Sequence, residues 1–132
     1  MALTHMDLLA EAEAEVRSVE QDEAEAAHAD AGTVFIDIRD VRELERDGMI
    51  PGARHAPRGM LEFWISKDSP YHKPWLAEEK TYVFYCASGW RSLLAAQVAQ
   101  RMGLDARSLR GGFSGWKSAG REVAARAPQP GL

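Results

Sequence analysis

The chain is short of cysteine, of long apolar runs and of clustered cations, and each shortage excludes a class of protein. Its 132 residues include one cysteine, Cys86, so no disulfide can close within the chain and a disulfide-stapled scaffold is excluded. A lone thiol suits a reducing compartment, and the expected location is cytoplasmic. No apolar stretch approaches bilayer-spanning length, and residues 1–7 lack the basic start and apolar core of a signal peptide, so no membrane partner is expected. Sixteen lysines and arginines stand against 20 acidic residues, a net charge of −4, and no basic run is interleaved with aromatics. That balance argues against a nucleic-acid partner. The four histidines (His5, His28, His55 and His72) have no metal-ligand spacing, and one cysteine is too few to complete a set. No metal is expected. The chain also lacks a dinucleotide-binding glycine fingerprint and a phosphate-loop lysine, so no cofactor is expected.

What is present is the composition of one globular domain, 45% hydrophobic and 27% charged. Thr4 and Asp7 have capping-box spacing ahead of a helix on which Leu8, Ala12 and Val16 form a narrow apolar stripe. Residues 16–19 read as a short strand, with Ser18 as cap of a second helix over 20–29. The run from Thr33 to Ile38 is β-branched and aromatic, as in a strand covered on both faces. Asp40 and Glu43 repeat the capping-box spacing for a helix over 41–47, closed by Gly48. A tight turn at 50–52, a brief edge strand at 53–56 and a short, heavily packed helix through Met60, Leu61, Phe63, Trp64 and Ile65 follow. After a proline-bearing loop come a strand at 81–85 and a helix from Ser92 to Met102 whose buried face is expected at Leu94, Val98 and Met102. A last strand at 106–109, a Gly111-Gly112 turn and a helix over 113–119 complete the pattern. Alternating strands and helices predict an α/β domain with a mostly parallel sheet, and such sheets carry their ligand beyond the carboxyl ends of the strands.

Cys86 stands at such an end. It opens the loop Cys86-Ala87-Ser88-Gly89-Trp90-Arg91-Ser92 between a buried strand and a helix. If the backbone of residues 87–92 curls around the sulfur, its N–H groups and the positive end of the helix stabilise a thiolate, the reactive form of cysteine. Gly89 permits a positive φ in the curl. Arg91 is placed to meet an anionic substrate or to tie the loop to a nearby carboxylate; Asp37 is one candidate anchor, although Asp37, Arg39 and Glu43 read first as a strand-end carboxylate and a salt-bridged short helix. Ser92 is an N-cap or a donor to the sulfur, and Trp90 a wall of the mouth or a packing aromatic. The competing view takes Cys86 as a small buried hydrophobe. The Gly, Arg and Ser that follow it favour reactivity. No histidine is placed by the sequence as a general base, and a pre-ionised sulfur needs none for moving a sulfane sulfur to a thiophilic acceptor.

At these residues the chain resembles the rhodanese (sulfurtransferase) family. The segment Cys86 to Ser92 is similar to the family's active-site loop. Asp37-Ile38-Arg39-Asp40 through Gly48-Met49-Ile50-Pro51-Gly52-Ala53 is similar to its upstream signature, with Met49 where histidine is usual. Gly111-Gly112-Phe113-Ser114-Gly115-Trp116 is similar to the downstream one. The resemblance implies a single rhodanese-like α/β domain with a central five-stranded parallel sheet flanked by helices on both faces. It divides the chain into an N-terminal helical extension (1–17), the domain (18–125) and a flexible tail (126–132). It implies sulfur transfer through a persulfide on Cys86, with residues 87–92 as the binding loop and Asp37 and Arg39 in support. The partners it implies are a small sulfur donor and a thiophilic acceptor, a partner protein among the candidates. The uncharged Ala87 and Ser88 weaken the expectation of efficient thiosulfate use. Two alternatives stand beside this reading: a phosphatase or arsenate reductase, whose loops carry the arginine one residue later, and a non-catalytic binding module.

Overall fold

A computed structural model describes residues 2–126 of the chain; residues 127–132, to which most of the expected flexible tail belongs, lie outside the described residues. Among the described residues five strands, β1 (Arg17–Val19), β2 (Thr33–Asp37), β3 (Arg54–His55), β4 (Thr81–Tyr85) and β5 (Asp105–Leu109), form one sheet in the order β1-β5-β4-β2-β3. Every pairing is parallel. Before, between and after them run α1 (His5–Glu15), α2 (Gln21–His28), α3 (Val41–Asp47), α4 (Leu61–Ile65), α5 (Trp90–Arg101) and α6 (Gly112–Ser118). This is the α/β arrangement that the alternating pattern predicts.

The period-two alternation of a strand divides the core between the two faces of the sheet. Ile36, Tyr82, Phe84 and Ala106 pack with Leu9 and Ala12 of α1, Leu61 and Ile65 of α4, and Leu93 and Ala96 of α5. Phe35, Val83, Tyr85 and Leu109 pack on the other side with Ala24 of α2 and Phe113 and Trp116 of α6. Cys86 continues the Tyr82–Phe84 series, so its side chain falls on the α5 face.

Several local expectations require correction. The capping boxes at Thr4/Asp7 and Asp40/Glu43 form, but α2 is capped by Glu20 with Glu23, and Ser18 lies inside β1. On α1 the buried stripe is Leu9, Ala12 and Val16, while Leu8 is turned outward. On α5 the buried apolar positions are Leu93, Ala95, Ala96 and Ala99, whereas Met102 is exposed and Leu94 and Val98 lie at the margin. Alanines permit close approach of α5 to the sheet, so the small residues mark the buried face and the bulkier ones sit at its edge. The helix also starts at Trp90, ahead of the expected Ser92, with Gly89 as its N-cap in a left-handed conformation. In α4, Leu61 and Ile65 are buried, but Phe63 is exposed.

Candidate active site

The Cys86 side chain is 1% exposed and its sulfur is held by the first turn of α5. The Gly89 amide donates to Sγ at 3.2 Å and the Ser92 amide at 3.4 Å. The thiol is 3.6 Å from Ser92 Oγ, toward which it donates. Both amides belong to the unpaired donors of a helix start, where the macrodipole adds positive potential. Among the described residues the amides of Ala87, Ser88, Trp90 and Arg91 do not reach the sulfur, so the curl is tighter in its donors than residues 87–92 suggest.

The loop is clamped from below by α6. Phe113 N–H donates to the Cys86 carbonyl at 2.8 Å and Ser114 N–H to the Ala87 carbonyl at 2.9 Å. This contact depends on Gly112, whose φ is +58° and where an added Cβ would lie 2.5 Å from the Cys86 carbonyl oxygen. Of the Gly111-Gly112 pair, Gly112 therefore serves close backbone packing, while a Cβ at Gly111 would meet the Gln21 side chain at 3.4 Å. Trp116 is core, 2% exposed, with its Nε1 donating to the Glu122 carbonyl at 2.7 Å.

Arg91 ties the loop to a carboxylate, but the partner is Glu43 of α3 and not Asp37. Its Nη1 and Nη2 donate to the two Glu43 oxygens at 2.9 and 3.1 Å, a bidentate pair. Hydrogen bonds from Arg91 hold the Glu43 carboxyl below the usual glutamate range. Glu43, and more weakly the nearby Cys86 sulfur, hold the Arg91 guanidinium above its ordinary pKa against the opposing effect of burial. The Arg91 side chain remains 46% exposed, so a cation stands at the rim of the cysteine loop.

Asp37 is instead committed to Arg39. The Arg39 Nε donates to both Asp37 oxygens at 3.0 and 3.2 Å, and Nη2 donates at 2.7 Å to Asp37 and at 2.7 Å to the Gly48 carbonyl. The two side chains are 1% and 0% exposed. Burial depresses the Arg39 pKa, but the hydrogen bonds and charge of Asp37 outweigh it and the net direction is upward. The guanidinium lies 4.4 Å from the Phe113 ring centroid. Burial and the Asp37 charge push the Tyr85 hydroxyl upward, and its oxygen accepts the Ile50 amide at 3.1 Å. This network anchors the ends of β2 and β4, from which the cysteine loop departs. Met49, where the resemblance suggests histidine, pairs with Ala124 by two backbone bonds of 2.9 and 2.8 Å, a structural role.

Trp90 is 57% exposed and faces His5 of α1, with ring centroids 5.4 Å apart. His28, His55 and His72 bond to backbone oxygens of Pro51, Arg39 and Trp64. Two neighbours of the loop escape sequence reasoning: His5, about eighty-five residues away from Trp90, and Ser108, whose hydroxyl meets Ser92 at 2.9 Å. Only the strand register, which sets Ser108 beside Phe84, brings the latter there.

Residues 20–119 match the rhodanese-like domain family. The chain belongs to that family. The rhodanese-like domain is 32% identical over 93 residues, 70% of this chain and 82% of its counterpart, to the Bacillus subtilis protein named "Putative sulfurtransferase YtwF". It is 37% identical over 82 residues, 62% of this chain, to a tRNA sulfurtransferase of Pyrobaculum aerophilum, of which it spans 15%. A solved structure from Rhodopseudomonas palustris, described as a protein of unknown function and possible tyrosine phosphatase, is 45% identical with a TM-score of 0.90, covering 93% of this chain and 96% of that one. Among the described residues no helix is long and apolar enough to cross a membrane, and no cluster of three or more metal-ligating side chains occurs.

Proposed function

We propose that this rhodanese-like domain is a sulfurtransferase that carries a sulfane sulfur as a persulfide on Cys86. The observation that carries the reading is the sulfur itself, which accepts two amides, from Gly89 and Ser92, at the start of α5. Fixed dipoles of this kind favour the thiolate without a general base. Family membership and the sulfurtransferases among the relatives support the same chemistry. In the first half-reaction the Cys86 thiolate attacks the outer sulfur of the donor. An S–S bond forms on Sγ, the donor's own bond to that sulfur breaks, and its electron pair leaves on sulfite (from thiosulfate) or on a thiolate (from a persulfide). In the second, a thiophilic acceptor such as cyanide, a thiol or a protein thiol attacks the outer sulfur and the Cys86 thiolate departs. Gly89 and Ser92 supply the amides, Arg91 the rim cation, and Ala87, Ser88 and Trp90 the border of the mouth; Asp37 and Arg39 support the loop from beneath. We assign the activity to the cytoplasm, where a free cysteine persists.

The test is intact-mass measurement after incubation with thiosulfate and, separately, with a low-molecular-weight persulfide. Wild type gains one sulfur atom and Cys86→Ala gains none. A wild type unmodified by both donors overturns the reading.

A phosphatase reading has one observation in its favour, the description of the Rhodopseudomonas palustris structure. Against it, Arg91 is the fifth residue after Cys86, one fewer than a phosphate-binding loop uses, and among the described residues only two amides converge on the sulfur. Hydrolysis of an aryl phosphate, abolished in Cys86→Ser, would favour it over sulfur transfer.

A further inference from the structure

Ser108 is a buried polar residue, 2% exposed, on the face of β5 that otherwise meets the apolar core through Ala106. Its hydroxyl lies 2.9 Å from Ser92 Oγ. Ser92 Oγ in turn has two other neighbours, the Cys86 sulfur at 3.6 Å and the Gly89 carbonyl at 3.2 Å. A hydroxyl has one proton to give and two lone pairs to fill. While Cys86 is a thiol, S–H donates to Ser92 Oγ and the Ser92 proton rests on the Gly89 carbonyl. Once Cys86 ionises, the sulfur becomes an acceptor only, and the Ser92 proton is best used there. The Gly89 carbonyl loses nothing essential, because it also accepts the Leu93 amide at 3.2 Å. The Ser92 oxygen, however, has lost its incoming S–H bond and is buried.

We infer that Ser108 is a positioning residue for the Cys86 thiolate, its hydroxyl donating to Ser92 Oγ so that the Ser92 proton turns onto the sulfur. Without Ser108, the thiol form retains an incoming bond at Ser92 and the thiolate form has none, so the loss falls on the thiolate. The Ser108 hydroxyl can meet its own need for a donor on its far side, where a cavity of about 350 Å³ is lined by Ser108, Ser18, Ser88, Gly89 and Trp90. The charged groups around Cys86 are held elsewhere: Arg91 of α5 by Glu43 of α3, Arg39 by Asp37 at the end of β2, and Arg110 after β5 by Glu13 and Glu20. His5 of α1 stands beyond Trp90. Substitution of Ser108 alters none of these pairs.

The inference rests on the thiolate chemistry proposed above, and the experiment separates the two. The rate of Cys86 alkylation by iodoacetamide is followed against pH in the reduced full chain. The wild-type midpoint is read first, as the reference for the variants. Ser108→Ala raises that midpoint by about 0.5–1 pH unit, and Ser108→Thr keeps it at the wild-type position. Ser108→Val is isosteric with Ser108→Thr and shares any packing cost, so the difference between those two isolates the hydroxyl even if Ser108→Ala folds poorly. Equal midpoints for wild type and Ser108→Ala, or for the Thr and Val variants, overturn the role of Ser108. A wild-type midpoint near 8.5 instead overturns the activated sulfur itself.

Discussion

Replacing Arg39 by methionine removes the partner of a carboxylate that water cannot reach. Asp37 is 0% exposed and takes three guanidinium contacts of 2.7–3.2 Å, and the Gly48 carbonyl takes a fourth at 2.7 Å. Methionine fills much of the volume, so the cost is electrostatic rather than a cavity. After the substitution Asp37 keeps the Arg39 backbone amide at 3.1 Å, which is too little to hold a buried charge. Breaking one side of such a pair costs about 3–5 kcal/mol. For a chain of 132 residues this corresponds to a melting-point loss of about 10–18 °C. The cost has a pH signature. A carboxylate charge stranded in a buried site costs most where carboxylates are ionised and least where acid neutralises them. Urea titrations at pH 7 and near pH 4 measure this directly: the deficit of Arg39→Met is large at the first and smaller at the second. The double variant Asp37→Asn with Arg39→Met recovers part of the loss, because no charge is then stranded. A deficit below about 1 kcal/mol at pH 7, or one that does not shrink in acid, would refute the argument that the pair is needed to neutralise a desolvated charge.

Three further outcomes follow from the clamps on the cysteine loop. Glu43→Gln leaves the Arg91 cation uncompensated, and kcat/KM for dianionic thiosulfate rises roughly three- to tenfold relative to that for a zwitterionic persulfide donor; equal effects on both donors would show that Arg91 does not meet the donor. Because Arg91 holds the Glu43 carboxyl below the usual range, the stability this pair contributes is complete above the ordinary glutamate pKa and fades as pH falls through the depressed value, which urea titration of wild type against Glu43→Gln can follow. Gly112→Ala brings a Cβ to 2.5 Å from the Cys86 carbonyl oxygen at a φ of +58° and costs at least about 2 kcal/mol with slowed sulfur loading. Gly52→Ala, at φ +78° but with nothing within 4 Å, loses only the backbone-strain share, and similar losses for both variants would count against the close approach.

Local chemistry decided a good deal of the fold. The capping boxes at Thr4/Asp7 and Asp40/Glu43, the apolar run from Thr33 and the strand-loop-helix setting of Cys86 all depend on residues within a few positions of one another, and each took the form its sequence predicts. Where the reading failed, the deciding neighbour was distant. Leu8 and Leu9 fit an apolar stripe equally well, and packing against α5 chose Leu9. The bulky Leu94, Val98 and Met102 share a helix face, yet the sheet took the side with Leu93, Ala95, Ala96 and Ala99, where it can come close.

The sequence by itself determined that the chain would be an alternating α/β domain with one reactive-looking thiol at a strand end, since periodicity, caps and loop composition are short-range properties. Tertiary structure alone decided which groups address that thiol. Arg91 had two carboxylates to choose from, and the fold brought Glu43 to it across forty-eight positions while Asp37 was taken by Arg39. Ser108 reached Ser92 through the β4–β5 register, and His5 reached Trp90 through the packing of α1 on α5. Hydrogen bonds and ion pairs act over a few ångströms, so their partners are set by the arrangement of elements in space, which no local pattern of residues encodes.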